Sequence, residues 1–296
     1  MTHDVLIIGG GSAGYAAART ARDEGADVGI IDHGPLGGLC ILRGCMPTKT
    51  ILRSSDIMSL MKRAEEFGLK PVAAEAILSN IIDRKARLIS EFAEDRIQAL
   101  KGSRFTLYED QASFLSPNEV KIGQCAITAK AIIISTGSVV SRLPIPGLEE
   151  VGYITSDEAL ELRELPQSMI VLGGGPVAVE LAQFYSRVGT KVTLIQRSHH
   201  IMSESDEDLA RPVETKFRQE GMTVFTNTKL HKFTQDGPRK MAHFSHEGQE
   251  KTAVGEVILQ ALGRRPNIDS LNLEVAEVEI QEGKVVVDNT MRTNQP

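Results

Sequence analysis

The chain has 296 residues, 41% hydrophobic and 24% charged, an ordinary globular composition long enough for two domains at roughly 100–200 residues each. Thirty-three Lys and Arg against 39 Asp and Glu give a net charge of −6, and Trp is absent, which argues against a nucleic-acid binder with its basic grooves and stacking faces. No apolar run approaches the roughly 18 residues of a membrane span, and Met1-Thr2-His3-Asp4 carries no basic region, so neither membrane insertion nor a signal peptide is expected and the cytoplasm is the expected compartment.

In chain order, Val5–Ile8 reads as a strand, Gly9-Gly10-Gly11-Ser12-Ala13-Gly14 as a turn, Tyr15–Glu24 as a helix and Asp27–Asp32 as a second strand. Pro47 to Lys62 and Ala74 to Leu100 read as helices, the second with Ile77, Ile81, Leu88 and Phe92 at helical spacing. Short strands are expected at Phe105–Tyr108 and Glu119–Ile122, and a buried strand at Ala131–Ser135. Pro144, Pro146 and Gly147 mark a linker, which places a domain boundary near Glu150. The opening grammar then repeats: strand Met169–Leu172, turn Gly173-Gly174-Gly175-Pro176-Val177-Ala178, helix Val179–Val188, strand Lys191–Gln196. Asp206–Glu220 reads as a helix, Lys229–Lys251 as a hairpin around Asp236-Gly237, Glu256–Ala261 as a buried strand and Lys284–Asp288 as a final strand. Two βαβ units about 160 residues apart predict an α/β protein with two Rossmann-like nucleotide-binding domains.

The first turn matches G-x-G-x-x-G at Gly9, Gly11 and Gly14. Gly9 permits the tight turn, Gly11 lets backbone approach a pyrophosphate, and Gly14 permits close helix–strand packing. The helix N-terminus offers free N–H groups to phosphate, and Asp32, 18 residues after Gly14, is placed to accept from ribose hydroxyls. In the second turn Gly173 and Gly175 match, Ala178 fills the third slot, and Pro176 suits the first helical position. The strand-end slot is Gln196 followed by Arg197. A missing carboxylate and a nearby guanidinium favour a 2′-phosphate, hence NADPH over NADH.

Three cysteines are too few for a secreted disulfide framework. Cys40 and Cys45 lie close together in GGLCILRGCMPTK, which points to redox chemistry or a metal. No His stands nearby at ligand spacing, with His33 isolated, so redox is favoured and no metal site is assigned. Gly44 frees the loop between the cysteines. Cys45 falls near a helix N-terminus, with Lys49 one turn on, and both features favour the thiolate and a readily reversible disulfide. Cys125 reads as a core residue, and His231, His243 and His246 as solvated hairpin residues.

These residues resemble the class I pyridine nucleotide–disulfide oxidoreductases, of which dihydrolipoamide dehydrogenase, glutathione reductase and mercuric reductase are members. The landmarks are the first turn, GGLCILRGCMPTK, Ser135-Thr136-Gly137-Ser138, the second turn ending in Glu180, and Ala261-Leu262-Gly263-Arg264-Arg265-Pro266-Asn267. The resemblance implies an FAD domain at 1–150, an NAD(P) domain at 151–270, each with a small antiparallel meander, and the start of a return segment at 271–296. It implies FAD contacts at Gly9, Gly11, Ser12, Ala13, Gly14, Asp32, Leu39, Thr136 and Gly137, and a cofactor contact at Gly263. Nicotinamide cofactor contacts are implied at Gly173, Gly175, Pro176, Val177, Ala178, Gln196 and Arg197. Cys40 takes the role of interchange thiol and Cys45 that of charge-transfer thiol, while Lys49 approaches the flavin and pairs with Glu180.

Family members continue beyond a strand like Lys284–Asp288 into a Gly-Asp signature and a dimer-interface domain with a His-Glu acid/base pair. The sequence is therefore expected to be the N-terminal portion of a longer, homodimeric enzyme. His199 and Glu204 share the spacing of that pair but follow a strand of the second domain, and the role is not assigned to them. Pro176 stands where several relatives carry an aromatic nicotinamide gate, which weighs against glutathione reductase. The implied activity is electron transfer between a nicotinamide cofactor and a small or lipoyl-type dithiol, through FAD and Cys40–Cys45, most like dihydrolipoamide dehydrogenase. The alternatives are mercuric or another disulfide reductase, and, from a different class, a nucleotide-binding module without turnover.

Overall fold

The computed structural model describes residues 1–296. In chain order the elements are β1 (Thr2–Ile8), α1 (Ser12–Asp23), β2 (Val28–Ile31), α2 (Gly38–Leu42), α3 (Cys45–Lys62), α4 (Leu78–Lys101), β3 (Thr106–Tyr108), β4 (Ala112–Ser116), β5 (Glu119–Ile122), β6 (Cys125–Ile134) and β7 (Ser138–Val140). There follow α5 (Leu148–Val151), α6 (Ser156–Ala159), β8 (Ser168–Leu172), α7 (Pro176–Val188), β9 (Lys191–Ile195), α8 (Glu207–Gln219) and β10 (Thr223–Phe225). The chain closes with β11 (Thr228–Asp236), β12 (Arg239–His246), β13 (Gln249–Gly255), β14 (Val257–Gln260), β15 (Arg264–Pro266), β16 (Ile280–Gln281) and β17 (Lys284–Val285).

Two compact units emerge, one of Met1–Gly44, Ile89–Val139 and Arg264–Pro296, the other of Cys45–Leu88 and Val140–Gly263. The first holds a six-stranded sheet ordered β3-β2-β1-β6-β5-β4, parallel from β3 to β6 and antiparallel from β6 to β4. All four residues of β2 are buried, as a run covered on both faces requires. One core packs Leu6, Ile8 and Ile31 with Phe114, Val120 and Leu271, and another packs Ile7, Ala18, Ile30 and Leu100. The second unit holds the parallel sheet β10-β9-β8-β14 and the meander β11-β12-β13. Its larger core joins Ile51 of α3 and Ile82 of α4 to Leu181, Phe184 and Tyr185 of α7.

Several expectations are corrected. The long helix begins at Leu78, and its buried stripe is Leu78, Ile82, Lys85, Ile89, Ala93 and Leu100, whereas Ile77 and Phe92 are exposed. Lys85 interrupts the apolar pattern, and it is buried because it pairs with Glu161. Cys125 is exposed at the start of β6, not in a core. Ala131–Ile134 is the end of the longer β6, where Ile132 and Ile134 pack into the core while Ala131 and Ile133 face outward, and Ser135 follows the strand. The hairpin has a third strand, β13, and β4 was not legible among its serines. The final strand shrinks to Lys284–Val285, because Asp288 Oδ1 accepts from the N–H groups of Thr290 (2.8 Å) and Arg292 (2.9 Å) and turns the chain. His231, His243 and His246 are part-buried: His243 bonds Thr234 Oγ1 (2.7 Å), and His246 bonds the Thr226 carbonyl (2.9 Å).

Candidate active site

In the first unit, Gly9 has φ +105°, and a Cβ there would lie 2.4 Å from the Ser135 carbonyl oxygen. A Cβ at Gly14 would lie 1.8 Å from the Gly9 carbonyl oxygen, so α1 can approach the turn only through glycine. Gly11 caps α1, and Ser12 and Ala13 expose its first turn, where unpaired N–H groups face outward. Asp32 directly follows β2, with its carboxylate fixed by two donors, Gly10 N–H to Oδ2 (2.7 Å) and Gly34 N–H to Oδ1 (2.8 Å).

The cysteine segment begins against this turn. Gly37 and Gly38 have φ +121° and +77°, and a Cβ at Gly38 would lie 2.5 Å from Gly11 Cα. Leu39 and Cys40 thus lie on α2, whose start is packed on the first turn. Gly44 also sits close, with a virtual Cβ 2.9 Å from the Leu39 carbonyl oxygen and 3.1 Å from Cys40 Cα. Cys40 is half-buried as a thiol in α2, and Cys45 is exposed at the first residue of α3. The landmark Thr136-Gly137-Ser138 meets Arg264–Asn267 here. Asn267 N–H donates to the Gly137 carbonyl (3.0 Å), and Arg264 grips Ser138 through Nε to Oγ (2.9 Å) and Nη2 to the carbonyl (2.8 Å).

In the second unit, Gly173 has φ +111°, and its Cβ would lie 2.4 Å from the Ala261 carbonyl oxygen. Gly175 caps α7, with Pro176 as its first residue, Val177 exposed and Ala178 fully buried. A Cβ at Gly175 would meet nothing within 4 Å. Gln196 ends this βαβ unit buried, its carbonyl accepting from Thr228 Oγ1 (3.0 Å) and its Oε1 from Arg197 N–H (3.2 Å). Arg197 is exposed and its guanidinium makes no ion pair. Gly263 has φ +123° and its carbonyl accepts from Ser141 N–H (3.0 Å). His199 and Glu204 are both exposed.

Also within this unit, Lys49 of α3 donates to Glu180 of α7. Seven residues further along both helices, Arg187 Nη1 donates to Asp56 Oδ1 (2.6 Å), while Nε and Nη2 donate to the two carboxylate oxygens of Glu220 (3.0 Å each). Burial pushes the Glu220 carboxyl up, but the Arg187 guanidinium, with Lys216 and Gln183, outweighs it and holds that carboxyl below the usual range. Arg187, Asp56 and Glu220 carry no motif and were not singled out from sequence. The only available signal was a charged residue seven after Lys49 and an opposite one seven after Glu180.

The first unit thus holds a glycine turn and a thiol on α2, and the second holds a glycine turn whose helix is ion-paired to the helix that Cys45 begins. The family described as pyridine nucleotide-disulphide oxidoreductase matches residues 3–296. A mercuric reductase of Staphylococcus aureus is 34% identical over 99% of this chain and 54% of its own length. A dihydrolipoyl dehydrogenase of Bacillus subtilis is 33% identical over 99% of this chain and 65% of its own. The HOCl-induced flavoprotein disulfide reductase RclA of Escherichia coli, solved as a Cu(II) complex, superposes with a TM-score of 0.85 at 26% identity, covering 99% of this chain and 64% of that one. The chain therefore spans about half to two thirds of the length of these relatives.

Proposed function

Since the chain belongs to the pyridine nucleotide–disulphide oxidoreductase family, we propose that it carries the electron path of a flavin-dependent dithiol/disulfide oxidoreductase, most like dihydrolipoamide dehydrogenase. The observation that carries this reading is the Lys49–Glu180 pair, which joins the Cys45 helix to the nucleotide-turn helix. The first turn suits FAD: the N–H groups at the start of α1 face outward, and Asp32 is held rigid by Gly10 and Gly34 to accept from a ribose. The second turn suits a nicotinamide dinucleotide, since the space above Gly175 is open to a pyrophosphate. Buried neutral Gln196 and unpaired Arg197 favour NADPH.

Bound FAD supplies two-electron chemistry between a hydride and a dithiol. The residues of this chain do the rest. One thiolate of a substrate dithiol attacks the Cys40–Cys45 disulfide at Cys40 and releases Cys45 as thiolate. The second substrate thiolate then displaces Cys40, leaving substrate disulfide, a Cys40 thiol and the Cys45 thiolate: two electrons pass to the cysteine pair, one of the dithiol's two protons goes to Cys40 and the other to solvent. The N–H groups at the start of α3 and the positive charge of Lys49 stabilise the Cys45 thiolate, and Glu180 fixes Lys49. A homodimer is the expected working form. A second reading, reduction of a thiophilic metal ion, is favoured by the mercuric reductase relatives and by the exposure of Cys45.

The test is the visible spectrum of the purified chain before and after anaerobic addition of two electrons. A flavin band that gains a long-wavelength shoulder supports the reading. A protein that binds NADPH but neither FAD nor reducing equivalents is a nucleotide-binding module without turnover. In a flavin-loaded chain, activity with lipoamide or with mercuric ion separates the two substrate classes.

A further inference from the structure

Helices α3 and α7 pair with one constant offset. Lys49 meets Glu180 and Asp56 meets Arg187, each across 131 positions. The same offset sets Cys45, first in α3, level with Pro176, first in α7. Ile51, between the rungs, packs in one core with Leu181 and Phe184 of α7, and two rungs two turns apart set the register of that packing. The rungs are not equal. Lys49 and Glu180 are 58% and 30% exposed, the setting in which an ion pair contributes little. Arg187 is 14% exposed and gripped by both oxygens of Glu220 before it reaches Asp56. Its carbonyl also accepts from Lys62 Nζ (3.0 Å), so the end of α3 is tied to the same residue.

We propose that Arg187, acting through Asp56, is a positioning residue for the thiol chemistry: it locks α3 in register with α7 and so presents Cys45 level with the nucleotide turn. The inference rests on the reading of Cys45 as a reacting thiol. Without the Asp56 rung, α3 is free to slide on its apolar contact with α7, and its first residue shifts from the place where the helix start and Lys49 favour a thiolate.

The test needs neither flavin nor turnover, so it stands apart from the spectral one. Iodoacetamide labelling of the chain, reduced beforehand and kept anaerobic at neutral pH, resolved by mass spectrometry, gives the Cys45 rate relative to Cys125, an exposed thiol of the other unit in the same molecule. Cys45 is expected to react faster in the unaltered chain. Arg187→Met and Asp56→Asn each lower the ratio at least threefold, and Arg187→Lys recovers at least half of it. Asp56→Asn leaves the Arg187–Glu220 contact intact, so it reports even if Arg187→Met folds poorly. An unchanged ratio in Asp56→Asn overturns the proposal, as does an equal change in both thiols.

Discussion

The two glycine turns share their first three residues and diverge after them, most tellingly at the third motif slot and at the strand end. Gly9 and Gly173 share a positive φ, and each would drive a Cβ to 2.4 Å from a carbonyl of the neighbouring strand end. Gly10 and Gly174 each face the side chain that ends the second strand, Asp32 in one unit and Gln196 in the other. The first divergence is the third slot. At Gly14 a methyl would collide with backbone at 1.8 Å, yet Ala178 holds one fully buried. The second is the strand end, a carboxylate fixed by two backbone donors against a neutral amide followed by an unpaired arginine. The shared glycines answer to the chain reversal. The third slot answers to how closely a helix approaches its turn, and the proposed function makes the strand end the reader of the ribose.

The largest effect comes from exchanging the third slots. Gly14→Ala puts a methyl into backbone that has no side chain to yield, at an expected cost above roughly 3 kcal/mol. Ala178→Gly costs about 1 kcal/mol, the helical penalty of glycine. Urea unfolding of each variant checks this, and equal losses would mean that the third slot is alike in both turns. Next is Gly175→Ala. With φ −75° and no atom within 4 Å of the new Cβ, the fold is expected to change by no more than about 0.5 kcal/mol. NADPH affinity is expected to fall about tenfold or more, because the methyl occupies the pyrophosphate's approach. Unchanged affinity in a fluorescence titration would mean that the nucleotide does not lie on this turn.

Both turns were legible because their glycines are local demands of φ and close approach, and such demands appear as residue types at fixed spacing. Cys40, Cys45 and Lys49 were legible because thiols and a helix start are local too. What escaped depends on partners far along the chain. Lys85 is buried only because Glu161 meets it, 76 positions later, and without that partner the apolar stripe of α4 reads one residue out of place. Cys125 has the composition of a core residue but falls at a hairpin end, where the register of β5 and β6 turns it outward. Arg187, Asp56 and Glu220 lie on three helical segments, and no periodicity within any one of them reveals the cluster.

The strand ends yield a smaller effect. Gln196→Glu restores a carboxylate where the first unit has one, and the ratio of NADPH to NADH affinity is expected to fall about tenfold. Arg197→Met is expected to lower NADPH affinity alone. If both cofactors weaken together in either variant, the strand end packs the adenosine without reading its phosphate.

Acid gives the smallest separation. Glu220 carries a folded-state pKa below its ordinary 4.5: burial pushes it up, and the Arg187 hydrogen bond and charge, with Lys216 and Gln183, together outweigh that push. A carboxyl depressed by folding adds stability that is fully present above its unfolded pKa and is lost as pH falls through the folded value. Stability is therefore expected to decline below about pH 4.5 with a component that Glu220→Gln removes, flattening the slope there and lowering stability at neutral pH. The first unit offers a contrast at Asp4, whose carboxyl is lowered by the Lys130 hydrogen bond but lies at the surface, where salt screens it. Urea midpoints from pH 3 to 7, at low and high salt, distinguish the two. The Glu220 component persists in salt because Arg187 meets it out of water, and the Asp4 component fades. If salt abolishes both, the Arg187 cluster is a surface ion pair in solution and provides no firm anchor for α3.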